Sequence, residues 1–335
     1  MDRAALDAAY AAAARYLEGL HARPVGAAAD AAAMRTALAG PLPEQGEPAA
    51  RIVEELARKA DPGIVASGGP RFFGFVIGGS VPAALAADWL TTAWDQNAGL
   101  FVLSPAAAIV EETVLGWLRE LFGLPEGTGM GFVTGGQMAN TTCLAAARQA
   151  VLARAGWDVA TQGLIGAPRL VVLAGDEAHI TVYGALRLLG LGDACVVKVK
   201  SDSQGRMLPE ALREALRAAE GAPAIICAQA GNVNTGSFDP LGEITRLARA
   251  HGNAWVHVDG AFGLWAAASA RFRHLLEGVS AADSWATDAH KWKHGRSQKA
   301  RPWGFTPPCS GAARGSSSGR HPSGGPRDRR HARRS

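Results

Sequence analysis

A lysine near the end of the segment 283–292 is the first residue whose setting suggests covalent chemistry. Lys291 lies close to Trp285, Ala289 and Trp292 in the sequence. Apolar surroundings of this kind favour the uncharged amine, which is a nucleophile toward aldehydes and ketones. The alternative interpretation is a lysine that extends along an apolar surface and keeps its charge in water.

Two polar side chains stand where predicted strands end. Asp259 closes an apolar stretch that begins at Trp255, and His179 follows another stretch at 170–174. A buried carboxylate must meet a cation or hydrogen-bond donors, because burying it unpaired is costly. An imidazole at the same sheet edge can stack on a flat ligand. A turn-forming aspartate and a helix-capping histidine are the simpler interpretations.

A metal site is a second way to interpret these residues. His257 precedes Asp259 by two positions and therefore points to the same side of its strand. With Asp288 and His290, these nitrogen and oxygen ligands leave a metal-dependent hydrolase open.

A glycine pair links a predicted strand to a predicted helix at Gly135 and Gly136, followed by Gln137. Glycines let backbone amides approach a phosphate, and a helix N-terminus adds partial positive charge. The stretch matches neither a Walker loop nor a dinucleotide fingerprint, so nucleotide binding is not favoured. A purely structural turn is the alternative.

The elements that must position these residues alternate between short apolar stretches and longer helical ones. Predicted strands cover residues 131–134, 170–174, 195–199, 224–228 and 255–259. Strands that are apolar throughout indicate an α/β fold with a mostly parallel sheet covered by helices on both faces. Ligand sites then lie at the carboxyl ends of the strands. Ser104 and Pro105 predict the start of a helix that stops at Gly123.

Composition excludes several classes of protein. Of the 335 residues, 48% are hydrophobic and 19% are charged, which is typical of a globular chain. No apolar run is long enough to span a membrane, and the first residues do not resemble a signal peptide, so a cytoplasmic protein is expected. The four cysteines show no disulfide or zinc-binding spacing.

The last segment, 293–335, differs from the rest of the chain. It holds eleven Lys and Arg and one acidic residue, although the whole chain has a net charge of only +4. It is rich in Gly, Ser and Pro, so we expect it to be disordered. A basic arm that binds nucleic acid is the less favoured interpretation, because no binding fold accompanies the charge.

These motifs together resemble the pyridoxal-phosphate (PLP)-dependent group II amino acid decarboxylases, a fold type I family that includes aromatic amino acid and glutamate decarboxylases. The matching stretches are GPRFFGF at 69–75, SP at 104–105, TGG at 134–136, DEAH at 176–179, NTGSFDP at 234–240, HVD at 257–259 and DAHKW at 288–292. The last stretch is the most specific.

The resemblance implies a role for each candidate residue. Lys291 would form a Schiff base with the cofactor, Asp259 would keep the pyridine nitrogen protonated, and His179 would stack on the ring. The phosphate would lie against Gly136 and Gln137, with His290 as a further contact, and Gly135 beside them would also bind the cofactor. Ala261 and Asp288 would complete the cofactor site, and Phe72, Phe73 and Phe75 would line the substrate pocket.

The resemblance also implies what the protein does. The expected reaction is PLP-dependent decarboxylation of an L-amino acid, with an aromatic substrate favoured. Another PLP-dependent lyase, an aminotransferase or a non-catalytic PLP-binding fragment remain alternatives. The expected assembly is a homodimer, without membrane or nucleic-acid partners.

The similarity to the family stops at Trp292. The resemblance therefore divides the chain into a helical N-terminal segment at 1–70, a PLP-binding large domain at 71–292 and the basic tail at 293–335. Members of the family continue into a mobile loop and a small C-terminal domain. Our hypothesis is that a frameshift or truncation removed them, and that cofactor binding and turnover are weak as a result.

Overall fold

The structure is a computed structural model that describes residues 3–291 and the backbone of residues 310–314. Ten α-helices occur in the described residues. They are α1 (Arg3–Gly19), α2 (Ala31–Leu38), α3 (Ala49–Ala60), α4 (Pro82–Trp94), α5 (Pro105–Phe122), α6 (Gly136–Arg154), α7 (Val159–Gln162), α8 (Ile180–Leu188), α9 (Pro209–Ala218) and α10 (Leu241–His251).

In the described part of the chain, one seven-stranded sheet has the strand order β1-β7-β6-β5-β4-β2-β3. The strands are β1 (Thr128–Phe132), β2 (Val171–Gly175), β3 (Val196–Val199), β4 (Ala224–Gln229), β5 (Ala254–Asp259), β6 (Ser284–Thr287) and β7 (Ser310–Arg314). The neighbours from β6 to β3 pair in parallel, and β7 runs antiparallel to both β1 and β6. The prediction of a mostly parallel sheet is confirmed.

Alternate residues of the central strands face two separate apolar cores. Leu173, Ile226 and Val258 belong to the core shared with α9 and α10. Val172 and Ile225 belong to the core shared with α6 and α8. Burial on both faces explains why these strands are apolar throughout, and it confirms that helices cover both sides.

Two strands were not predicted from the sequence. The segment of β6 mixes polar and apolar residues, yet all four of its residues are buried, and Ser284 finds its partners inside the protein. Strand β7 lies within the segment 293–335 that we expected to be disordered. Its five residues instead occupy the place between β1 and β6. The other residues of that segment, with the proposed frameshift, lie outside the described part of the chain.

The predicted helix signals around α5 are correct. The Ser104 hydroxyl accepts a hydrogen bond from the backbone N–H of Ala107 at 3.3 Å, and Gly123 ends the helix with a φ of 64°. The N-terminal segment contains the helices α1, α2 and α3, as its sequence predicted. None of these three helices contains a buried residue. Among the described helices, none has the length and hydropathy needed to cross a membrane.

Candidate active site

Asp259 ends strand β5 with its carboxylate almost completely buried. The Asp259 residue is only 6% exposed to solvent. One oxygen, Oδ1, accepts a hydrogen bond from the backbone N–H of Ala261 at 3.2 Å, and Oδ2 accepts one from Nδ2 of Asn140 at 3.1 Å. The carboxylate is therefore held in one orientation at the carboxyl edge of the sheet, with its burial compensated by two donors.

His257 is buried beside this carboxylate and is held by the protein on both ring nitrogens. Its Nε2 lies 2.9 Å from Oδ1 of Asn140, and its Nδ1 lies 3.0 Å from the hydroxyl of Ser284. Burial lowers the pKa of His257 to about 4, against the opposing attraction of Asp259. The ring is neutral at pH 7, and neither nitrogen is left for a metal ion. No metal-ligand group of three or more His, Cys, Asp or Glu occurs within the described residues.

This buried histidine predicts a pH dependence of stability. The pKa of His257 is lower when folded than the ordinary value of 6.5, so the unfolded chain binds more protons between those values. His257 therefore contributes full stability above pH 6.5, and this contribution is lost as the pH falls toward 4. We expect the free energy of unfolding of the wild type to fall by about 2 kcal/mol more than that of His257→Gln between pH 7 and pH 4.5.

Urea titrations of both proteins at the two pH values measure this difference. The buried carboxyl of Asp239 has the opposite effect, because burial raises its pKa to about 6. Its contribution is the same in both proteins and cancels in the comparison. Equal losses of stability in the two proteins would contradict the prediction.

His179 caps helix α8 and is also connected to the buried carboxylate. Its Nδ1 accepts a hydrogen bond from the backbone N–H of Thr181 at 3.3 Å and lies 2.8 Å from the Thr181 hydroxyl. That hydroxyl in turn lies 3.0 Å from Nδ2 of Asn140, which also binds Asp259. The structure therefore confirms the capping interpretation of His179 and links its ring to Asp259 through Thr181 and Asn140.

The segment that carries Lys291 is fastened to the end of β5. Asp259 pairs with Ala286 in the parallel register of β5 and β6. Two residues further on, the backbone N–H of Asp288 donates to the carbonyl of Ala261 at 3.0 Å. The Asp288 carboxylate accepts from the backbone N–H of His290 at 2.8 Å. These bonds shape the turn after β6 and set the partly buried Lys291 at the same edge of the sheet as Asp259.

The glycine pair leaves open space at the start of α6. A Cβ atom built on Gly135 or Gly136 would meet no other heavy atom within 4 Å. The first N–H groups of the helix have no partner within the helix, so an anion can reach them. The side chain of Gln137 does not face this space, because its Nε2 donates to the carbonyl of Thr181 at 3.1 Å. Gln137 can therefore offer an anion its backbone N–H.

The three phenylalanines predicted to line a pocket are not in one place. Phe72 is 8% exposed, whereas Phe73 and Phe75 are 90% and 92% exposed. The chain then passes over the lysine segment, where the backbone N–H of Gly79 donates to the carbonyl of His290 at 3.1 Å. A Cβ atom on Gly78 would lie 1.8 Å from that carbonyl oxygen, so only glycine fits.

Comparisons with known proteins place this arrangement in a family. The pyridoxal-dependent decarboxylase conserved domain matches residues 32–298. The chain belongs to the pyridoxal-dependent decarboxylase family. Human acidic amino acid decarboxylase GADL1 is 34% identical over 251 residues, which are 74% of this chain and 47% of that protein. The aromatic-L-amino-acid decarboxylase of Bacillus atrophaeus is 29% identical over 280 residues, 83% of this chain and 56% of that protein.

Solved structures of decarboxylases share the fold. Mouse CSAD superimposes with a TM-score of 0.83 at 30% identity, over 94% of this chain and 65% of that chain. Oryza sativa TDC with PLP and tryptamine gives a TM-score of 0.80 at 28% identity, over 93% of this chain and 63% of that chain. The chain spans about half the length of the curated relatives it matches.

The residues at this site fit pyridoxal phosphate, the cofactor of the family. A buried carboxylate, Asp259, suits a protonated ring nitrogen, and the open start of α6 at Gly135 and Gly136 suits a phosphate. Lys291 supplies an amine at the same sheet edge. Sequence reasoning missed the residues that join these groups, which are Asn140, Thr181, Ser284, Gly78 and Gly79.

Only some of these missed residues left a signal in the sequence. Asn140 is a polar residue among small ones on α6, and Thr181 follows His179 by two positions. Ser284 lies in a segment that the sequence did not predict to be a strand. The contact of Gly78 with His290 joins parts of the chain more than 200 residues apart, so no local pattern reveals it.

Replacing Gly78 by alanine tests the contact between Gly78 and the backbone of the segment that carries Lys291. The added methyl group would collide with the His290 carbonyl, and the φ of +88° at Gly78 is unfavourable for alanine. We expect Gly78→Ala to lower the free energy of unfolding by about 2 kcal/mol or more, measured by urea titration. Gly79→Ala is the matched control, because a Cβ there meets no atom within 4 Å. Equal free energies of unfolding for the two variants would contradict the close contact between Gly78 and the His290 carbonyl.

Proposed function

We propose that this protein catalyses the PLP-dependent decarboxylation of an L-amino acid. The observation that carries the proposal is the fastening of the Lys291 segment to the end of β5, because residue 291 and the buried carboxylate of Asp259 then lie at one sheet edge. Family membership supports the same reaction class.

Three side chains would act on the cofactor and substrate. When bound, PLP supplies an electron sink for the electron pair of the bond that breaks. Lys291 would be its covalent attachment point and would yield that place to the substrate amine. Asp259 would hold a proton at the ring nitrogen, and His179 would orient the ring from one face.

The remaining predicted residues would bind or shape the cofactor site. The backbone N–H groups of Gly136 and Gln137, at the start of α6 beside Gly135, would hold the phosphate, with His290 as a further contact. Ala261 and Asp288 would act through the hydrogen bonds that connect the ends of β5 and β6.

The substrate side chain has two candidate classes. The family resemblance in the sequence favours an aromatic amino acid, and the relative from Bacillus atrophaeus is named for that activity. The acidic class is supported by the relative with higher identity, which is named an acidic amino acid decarboxylase. Of the three predicted pocket phenylalanines, Phe73 and Phe75 are exposed in the single chain, so they do not enclose an aromatic substrate by themselves.

A direct assay tests both the reaction and the substrate. The protein is incubated with PLP, and carbon dioxide release is measured with L-tryptophan, L-tyrosine, L-glutamate and L-aspartate at equal concentrations. Release from one class identifies the substrate. Conversion of the amino acid to its keto acid without carbon dioxide would favour the aminotransferase alternative. PLP binding with neither product would leave a non-catalytic PLP-binding protein.

A homodimer is the proposed assembly. Four consecutive apolar residues, Leu100, Phe101, Val102 and Leu103, are each more than half exposed, and Trp94 nearby is 63% exposed. Monomeric proteins rarely expose a contiguous apolar surface to water, so a surface of this kind indicates an interaction site. A second copy of the chain would cover it.

Charge placed on this apolar surface should dissociate the dimer. We expect the wild type to have twice the mass of one chain by light scattering, and Val102→Glu to shift the mass to that of one chain. Val102 is 81% exposed, so the substitution should not disturb the single chain. Leu42→Glu, at a residue 92% exposed in the loop between α2 and α3, is the control and should remain dimeric. A monomeric wild type would contradict the proposed assembly.

A further inference from the structure

A chain of buried polar side chains leads from strand β5 to helix α6. The indole Nε1 of Trp255 donates to the hydroxyl of Ser284 at 2.8 Å, and that hydroxyl lies 3.0 Å from Nδ1 of His257. Nε2 of His257 lies 2.9 Å from Oδ1 of Asn140. All four residues are at most 5% exposed, so water does not compete for these bonds.

The two ends of the chain fix the direction of every hydrogen bond in it. An indole N–H can only donate, so the Ser284 oxygen accepts from Trp255 and keeps its own proton available for a second bond. The carboxylate of Asp259 can only accept, so Asn140 turns its Nδ2 toward Asp259 and its Oδ1 toward His257. Nε2 of His257 must then donate, so in a neutral ring Nδ1 accepts and the Ser284 hydroxyl donates to it. The lowered pKa of His257 agrees, because a neutral ring carries one proton.

A branch of the same chain reaches His179. Nδ2 of Asn140 lies 3.0 Å from the Thr181 hydroxyl, which lies 2.8 Å from Nδ1 of His179. The backbone N–H of Thr181 also donates to this Nδ1. A backbone N–H cannot accept, so Nδ1 of His179 is an acceptor and carries no proton, which leaves a ring proton on Nε2. The Thr181 hydroxyl then accepts from Asn140 and donates to His179.

We propose that Asn140 is a positioning residue that orients the carboxylate of Asp259 and, through Thr181, the imidazole of His179, and that His257 holds the Asn140 amide in this orientation by donating to its Oδ1. The inference rests on the proposed function, in which Asp259 and His179 contact the cofactor. The Asn140 amide thus connects Asp259 and His179, because one of its N–H groups donates to Asp259 and the other to Thr181. Replacing it should disturb the cofactor ring nitrogen and the stacking face together.

The first test uses the protein without cofactor. Long-range proton–nitrogen spectra of the chain labelled with ¹⁵N-histidine distinguish protonated from unprotonated ring nitrogens. The signals of His179 and His257 are assigned by their disappearance in His179→Gln and His257→Gln. We expect both rings to carry their proton on Nε2 at pH 7. A proton on Nδ1 of either ring would overturn the inference, whether or not the protein binds PLP.

The branch through Thr181 has its own pair of variants. Thr181→Val removes the hydroxyl but keeps the backbone N–H, so the Nδ1 resonance of His179 should shift toward that of a nitrogen with fewer hydrogen bonds. Thr181→Ser restores a hydroxyl and should restore the wild-type position. Thr181 is only partly buried, so neither change should unfold the protein. An unchanged Nδ1 resonance in Thr181→Val would contradict the branch.

The second test measures PLP binding and the absorption spectrum of the bound cofactor. Asn140→Ser shortens the side chain so that it cannot reach both branches, and we expect affinity to fall by about tenfold or more, with an altered spectrum. Asn253→Ser is the matched control: Asn253 precedes the first residue of β5, at the other end of that strand, and binds the carbonyl of Val151. It should retain the wild-type affinity and spectrum.

The two tests separate the inference from the function on which it rests. Wild-type affinity and spectrum in Asn140→Ser would overturn the positioning role. Failure of the wild type to bind PLP would contradict the proposed function, while the nitrogen resonances of the unloaded protein would still decide the hydrogen-bond chain.

Discussion

Lys291→Ala should abolish covalent attachment of PLP and reduce decarboxylation by roughly a thousandfold or more. The amine is the proposed attachment point, and alanine has no nucleophile that could replace it. The wild-type protein treated with PLP and then borohydride should carry the added mass on the peptide that contains Lys291. The variant should carry none.

The control for this variant is a lysine far from the proposed site. Lys198, on the edge strand β3, is exposed, and Lys198→Ala should retain both the added mass and the activity. Covalent label at another lysine in the Lys291→Ala protein would show that the attachment point has been assigned to the wrong residue.

Asp259→Asn should leave the cofactor attached but strongly reduce turnover. The carboxylate is proposed to hold a proton at the ring nitrogen, and a neutral amide removes the charge that stabilises this proton. Asparagine also turns an N–H group toward one of its donors, Asn140 or Ala261. We expect turnover to fall by about a hundredfold or more, with the spectrum of the bound cofactor displaced.

A second buried carboxylate provides the control. Asp239 is 5% exposed, compared with 6% for Asp259, and it accepts hydrogen bonds from the backbone N–H groups of Met207 and Gln229. Asp239→Asn should lower stability without displacing the cofactor spectrum. A variant of Asp259 with an unchanged spectrum and turnover would exclude it as the partner of the ring nitrogen.

The sequence predicted the parts of this fold whose signals are local. Strands β2, β4 and β5 were found within one or two residues, because burial on both faces requires apolar residues throughout. The ends of α5 were found because Ser104 and Gly123 have specific roles at helix termini. Strand β6 was missed because its Ser284 and Thr287 are polar, and their burial depends on neighbours that only the folded sheet provides.

The residues that carry the proposed chemistry were also recognisable, since Lys291, Asp259 and His179 each occur in a motif of the family. Their placement in space was not. The sequence left His257 open as a metal ligand, and the structure engages both of its nitrogens in hydrogen bonds within the protein.

The sequence by itself determined the α/β class, the family and the identity of the three proposed catalytic residues, because each depends on residue types within short stretches. The tertiary structure alone decided that Asn140 on α6 meets Asp259, 119 residues away, and that Gly78 packs against the lysine segment. A helix that crosses a parallel sheet joins strand ends that are distant in sequence, and such contacts depend on the packing of whole elements rather than on any local pattern.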